Sequence, residues 1–262
     1  MKPITEEHAR AALSHLGKRC GDLQSLLHSL GEKGRDSSAD IHLIRKTGKV
    51  IRGGIALFRL ERTAARSVRS IGRMLADRRD AVSLQHTWSR LEWHEEPKTA
   101  AAVTALLAAA AASAAAPPRE AVDWCIDRIA ETSAVVSALN PESAAIKATK
   151  GWQQLRRNAH KACADLDYRN EEAFHHARKT LKAWTGAAGL FPDDSQKLPE
   201  PAESLAECLG DENDLATLAS WLRRHGFTRH ISPGLCSVVQ VARRKCQRAA
   251  IRQATALTKI RH

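Results

Sequence analysis

Aromatic residues make up only 4% of this 262-residue chain, too few to build a broad base-stacking surface for nucleic acid. No two of its six cysteines, Cys20, Cys125, Cys163, Cys208, Cys236 and Cys246, stand in a C-x-x-C pair. They read as small buried hydrophobes of a reducing compartment, not as a disulfide framework or a zinc site. A G-x-x-x-x-G-K-[ST] loop is missing, which excludes a P-loop, and no H-E-x-x-H is present to hold zinc. His175-His176 is followed by Ala177, so the His-Asp dipeptide of one large class of metal phosphohydrolases is absent too. The N-terminus, MKPITEEHARAAL, lacks the apolar run of a signal peptide. Residues 99–118 are uncharged but mostly alanine, with only Val103, Leu106 and Leu107 as large aliphatics. That falls short of a membrane span and fits a tightly packed bundle helix. Glycine and proline are also sparse, 14 and 9 residues. With abundant Ala and Leu in 3.6-residue periods, the pattern indicates an all-α protein, expected to be soluble and cytoplasmic.

What the chain has in excess is positive charge. The net charge of +12 and pI near 9.8 make a polyanion the default partner. Residues 42–79 carry eleven Lys and Arg against Glu61 and Asp77, a net of +9. Within that stretch His42, Arg45, Lys46, Lys49 and Arg52 share one helical face, and Ile44, Val50, Ile51, Ile55 and Phe58 share the other. No Asp or Glu lies between His42 and Phe58. The cationic face spans about 15 Å, enough to follow several phosphates of an extended anion.

The stripe occurs twice. His42-x-x-Arg45-Lys46-x-x-Lys49 reappears 133 residues later as His175-x-x-Arg178-Lys179-x-x-Lys182. Leu75-x-Asp77-x-x-Asp80 reappears 134 residues later as Leu209-x-Asp211-x-x-Asp214. Two unrelated motifs at nearly one offset indicate an internal duplication, with halves at about 1–118 and about 119–262. In the second helix Phe174, Ala177, Leu181, Trp184 and Ala188 lie opposite the cations.

Along the chain, residues 4–30 form a helix with a seam at Leu13, Leu16, Cys20, Leu23, Leu27 and Leu30. Gly31 to Ser38 makes a turn, and Asp40 or a serine caps the first stripe helix. A further helix to about Ala76 sets Ala64, Val68, Ile71 and Leu75 opposite Arg62, Arg66, Arg69 and Arg73. Those arginines read equally as a solvated face or a ligand contact. Asp80 is expected to cap a helix running through Leu91. Prolines then mark helices at about 98–116, 119–139, 142–166 and 170–191, followed by an exposed loop over 191–201. Residues 201–209 and 214–225 read as two short helices joined at Gly210–Asn213, with Gly226 as a C-cap. Ser232-Pro233 opens the last helix. Arg79, the group Arg156, Arg157 and His160, and Arg244 and Arg248 on the last helix join the expected anion-binding set. Few carboxylates accompany the stripes, so binding is expected without turnover: no catalytic residue, metal or cofactor.

The paired H-x-x-R-K-x-x-K helices, with LADRRD at 75–80 and LGDEND at 209–214, resemble the CHAD domain, a histidine-rich α-helical family. The resemblance covers nearly the whole chain as a single domain of two repeats. It implies two helical bundles related by a pseudo-two-fold, basic faces lining a central groove, and binding of inorganic polyphosphate, including at polyphosphate granules. Residue by residue it implicates His42, Arg45, Lys49 and Arg52, and His175, Arg178, Lys179 and Lys182. Val50, Trp184 and Thr185 stand where the family often has further cations, which implies a weaker second stripe. The E-x-E-x-K mark of the CYTH triphosphatase domain carried by many relatives is absent. The alternative function is sequence-independent nucleic-acid binding, which the charge suits but the poverty of aromatics does not.

Overall fold

The seam of leucines and the two stripes become helices because each pairs an apolar face with a charged one. A computed structural model describes residues 3–30, 38–93, 96–114, 117–191 and 195–260. They form ten helices and no strand: α1 (Glu6–Leu30), α2 (Ser38–Leu57), α3 (Arg62–Met74), α4 (Ala76–Ser89), α5 (Pro97–Ser113), α6 (Arg119–Ser137), α7 (Pro141–Ala164), α8 (Glu171–Ala188), α9 (Glu200–Arg224) and α10 (Pro233–Lys259). The expected Gly31–Ser38 turn lies almost wholly outside the described residues, and Asp40 sits inside the first turn of α2.

Helix ends follow local chemistry. Asn140 caps α7, accepting from the Glu142 and Ser143 amides at 2.9 and 3.3 Å, and Asn170 caps α8 through the Ala173 amide at 3.1 Å. The break between α2 and α3 falls at Arg59, whose φ is +51°. Gly226, at φ +86°, ends α9 as expected. Ser232 is the N-cap residue of α10, but its side chain makes no capping bond.

Several boundaries differ from the sequence reading. Asp80 is not a cap: Leu75 occupies that position for α4, and Asp80 lies within the helix, paired to Arg79. Residues 201–225 are not two helices but the unbroken α9. One glycine costs a helix about 1 kcal/mol, and the burial of Leu205, Leu209, Leu215 and Leu218 on either side of Gly210 outweighs it. Glu212, from the segment read as a linker, is buried and held to α10. Nor is 191–201 simply exposed, since Phe191, Gln196 and Leu198 are buried. The alanine-rich α5 packs through Ala100, Val103 and Leu107 only along one edge, leaving Leu106 in solvent. All six cysteines are free, but only Cys20, Cys125 and Cys163 are buried.

Two cores organise the chain. The larger joins α1, α2, α3, α6, α7 and α8 with the start of α9 and the end of α10. The smaller joins α4 and α5 with the end of α9 and the start of α10, around Trp88, Val103, Leu107, Leu218 and Leu235. Helices from before and after residue 118 contribute to both cores, and α9 and α10 run through the two as a paired spine. Among the described residues, no helix is long and apolar enough to cross a membrane.

Candidate anion-binding site

At Gly53 and Gly186 the two stripe helices meet backbone to backbone. A Cβ on Gly53 of α2 would stand 2.2 Å from the Ala187 nitrogen, and one on Gly186 of α8 would stand 2.5 Å from the Lys49 carbonyl oxygen. Such distances require bare backbone on both helices. Gly53 and Gly186 are themselves 133 positions apart, the offset of the stripes. A third glycine, Gly151 of α7, lets that helix press onto the end of α2, where a Cβ would meet the Leu57 oxygen at 1.9 Å.

This approach brings Arg45, Lys49 and Arg52 of α2 into one electrostatic cluster with Arg178 and Lys182 of α8. None of the five is in an ion pair among the described residues, and the Arg178 Nε is buried without a hydrogen-bond partner. Loss of hydration, followed by the charges of Arg178, Arg45, Lys49 and Arg52, pushes the Lys182 ammonium down to about 7. Lys49 is lowered by burial and then by Arg178, Arg52 and Lys46. Arg45 and Arg52 are exposed at the surface, yet the surrounding protein thins their hydration and lowers both.

Arg79 of α4 belongs to the same cluster, since its charge acts on both Arg45 and Arg178. So does Arg69 of α3, the main charge acting on Arg52. Thus the α3 arginines, read two ways in the sequence, reach the stripe at Arg69; Arg66 and Arg73 are exposed along the same helix. His42 and Lys46 are exposed on α2, and His175 and Lys179 on α8. His175 is lowered by partial burial and then by Lys179 and Arg178.

The site is not made of cations alone, as the sequence suggested. Asp214 of α9 acts on Arg45 and Arg178, Asp80 on Arg45, and Glu212 on Arg178 and His175. Asp80 and Asp214 come from the second repeated motif; their spacing was legible, their placement beside the stripes was not. Glu212, 4% exposed, accepts from the Arg243 Nε at 2.8 Å and the Gln247 amide at 3.2 Å, and Arg243 also donates to Glu171 at 2.7 Å. Arg243 therefore ties α10 to α8 and α9 beside the cluster. No group of three or more His, Cys, Asp or Glu side chains among the described residues is arranged to hold a metal.

Two expected groups lie in recesses of their own, whose linings share no residue with this cluster. Arg156, Arg157 and His160 line a shallow one of about 340 Å³ on α7 with Gln153. There Arg157 donates to the Gln154 side chain at 3.0 Å. Arg244 and Arg248 line another along α10.

The sequence matches the CHAD domain family over residues 23–223. The chain belongs to the CHAD family. A crystal structure of the CHAD domain from the plant Ricinus communis shares its fold, with a TM-score of 0.62 at 19% identity, covering 97% of this chain and 92% of the plant chain. No curated protein is significantly similar in sequence. The CHAD match spans both stripe helices and both aspartate motifs, from within α1 to the end of α9. It leaves α10, with Arg243, Arg244 and Arg248, beyond its limit.

Proposed function

We propose that the paired stripes of α2 and α8 bind inorganic polyphosphate without hydrolysing it. The observation that carries this reading is the unpaired cluster of Arg45, Lys49, Arg52, Arg178 and Lys182, held together by the contact of two glycines. Like charges so close destabilise the chain unless an anion occupies the space between them. Membership of the CHAD family supports the same reading. A pseudo-two-fold relating the two repeats would turn both stripes into one basic groove, so that a single anion chain touches both. His42, Lys46, His175, Lys179, Arg69 and Arg79 widen that surface. Asp80 holds Arg79 and Glu212 holds Arg243 beside it, while Asp214 places a negative charge near Arg45 and Arg178. The proposed setting is the cytoplasm, in association with polyphosphate granules.

Purified protein should retain long-chain polyphosphate and release no orthophosphate with Mg²⁺ or Mn²⁺ present. Polyphosphate should also outcompete duplex and single-stranded nucleic acid at physiological salt. Phosphate release that survives repurification would remove the non-catalytic part of the proposal; preference for nucleic acid would remove its ligand.

A further inference from the structure

A recess of about 740 Å³ opens along α10 and reaches the turn between α7 and α8. Arg244, Lys245, Arg248 and Arg252 supply its charge, and no carboxylate lines it. None of the four is in an ion pair among the described residues. The remaining walls are Tyr168, Val241 and Ile251. Tyr168 is 51% exposed and Val241 64%, so the recess leaves a flat aromatic ring and an aliphatic side chain in water among cations. Asp167, next to Tyr168 in the turn, does not line the recess, and its Oδ1 accepts from the Arg169 amide at 3.1 Å.

A ringless phosphate chain would use the cations and leave the tyrosine and its aliphatic neighbours uncovered. A ligand with both an anionic and a flat apolar part covers both. We propose that this recess binds nucleoside phosphates, the base stacking on Tyr168 and the phosphates held by Arg244, Lys245 and Arg248. Aromatic side chains stack on any base because every base has a π-face, while arginines track the backbone charge. The recess is therefore suited to a nucleotide of any base, free or as a unit of a single strand. It is independent of the paired stripes, with which its lining shares no residue.

The chain holds one tyrosine, so tyrosine-selective isotope labelling of the full chain reports on Tyr168 alone by NMR. ATP should move the Tyr168 ring signals upfield through the ring current of a stacked base, and tripolyphosphate at the same concentrations should barely move them. Affinities are then compared in a chain also carrying Arg45→Ala, Lys49→Ala, Arg178→Ala and Lys182→Ala, which keeps both stripes from masking the recess. There Tyr168→Ala should weaken ATP about tenfold, Tyr168→Phe should not, and Arg244→Ala with Arg248→Ala should weaken ATP and tripolyphosphate alike. A short oligoadenylate distinguishes the source: tighter than ATP per molecule, it marks a strand site; weaker, a free-nucleotide site. Equal ring shifts with tripolyphosphate and ATP, or ATP binding indifferent to Tyr168→Ala, would overturn the proposal. Either result would leave polyphosphate binding at α2 and α8 untouched.

Discussion

Gly53 and Gly186 touch where α2 crosses α8, so closely that a Cβ on Gly186 would lie 3.4 Å from the Gly53 Cα and 2.5 Å from the Lys49 oxygen. The close approach of two helices and the crowding of five cations are one structural fact. Gly53→Ala must push the helices apart, because what it meets is backbone and cannot rotate away. It should destabilise by about 1–3 kcal/mol, the usual range of overpacked cores. Gly210→Ala provides the contrast: nothing lies within 4 Å of its Cβ position on α9, so the substitution should stabilise by up to about 1 kcal/mol. Thermal unfolding followed by circular dichroism checks both, and similar shifts of one sign would contradict the packing.

Lys182 should make stability depend on pH in a defined direction. Its ammonium titrates at about 7 in the fold and near 10.4 in an unfolded chain. Between those values the unfolded state holds the proton and the folded state does not, so its contribution to stability rises with pH. Below about 7 the full penalty of a crowded charge is present. Lys182→Met should therefore raise stability by roughly 2–4 kcal/mol at pH 6 and confer progressively less toward pH 10. Denaturant melts of both chains at several pH values give the difference directly; a gain independent of pH would mean that packing, not charge, is responsible.

Anion binding should reverse that depression. A phosphate chain against Lys182 favours the charged amine, and His175, also lowered by partial burial and then by its cationic neighbours, gains a proton in the same way. Binding at pH 8 should take up protons, and affinity should rise as pH falls from 8 to 6. Calorimetry in buffers of different ionisation enthalpy measures the uptake, which Lys182→Met should reduce. Uptake of zero in the wild-type chain would place the anion away from α8.

The buried Glu212 offers a test of the frame around the cluster. It is the shared partner of Arg243 and Gln247, and removing a buried carboxylate leaves both donors turned into the interior. Glu212→Ala should cost about 3–5 kcal/mol, whereas Glu171→Ala, at the exposed end of the same arginine, should cost about 1 kcal/mol or less. Urea unfolding of the two variants separates them.

The helices and stripe faces were legible because periodicity records which side of each helix is apolar: Ile44, Ile51, Ile55 and Phe58 are buried and His42, Arg45 and Arg52 exposed. What periodicity does not record is which helices touch. Gly53 and Gly186 carried the repeat offset, but a glycine within a helix looks the same whether it faces solvent, as Gly72 does, or another backbone. Asp80 looked like a cap because it ended an apparent turn ahead of the helix through Leu91, and its proximity to Arg45 depends on the packing of α4 beside α2. The α9 break was misread for a related reason: Gly210–Asn213 has the composition of a turn, and only Arg243 and Gln247, more than thirty residues on, reveal Glu212 as a buried anchor.

The last test asks whether the stripes act as one site. Arg45 and Lys49 stand on α2, Arg178 and Lys182 on α8, and the charge of each helix is felt by the other. One long anion touching both makes its second contact effectively intramolecular. Arg45→Ala with Lys49→Ala should remove charge-assisted contacts of roughly 1.5–3 kcal/mol each, and Arg178→Ala with Lys182→Ala should do likewise. Counterion release makes log affinity fall steeply with log salt, and each pair of substitutions should flatten that slope by a similar amount. Melting temperature should hold or rise in both variants, because all four side chains lie off the apolar faces and repel one another. Chain length sharpens the result. Long polyphosphate should lose affinity with either variant, while a chain too short to bridge the helices should show two separable events, each removed by one pair only. Loss of all binding with one pair and none with the other would leave a single working stripe, and the shared groove would have to be abandoned.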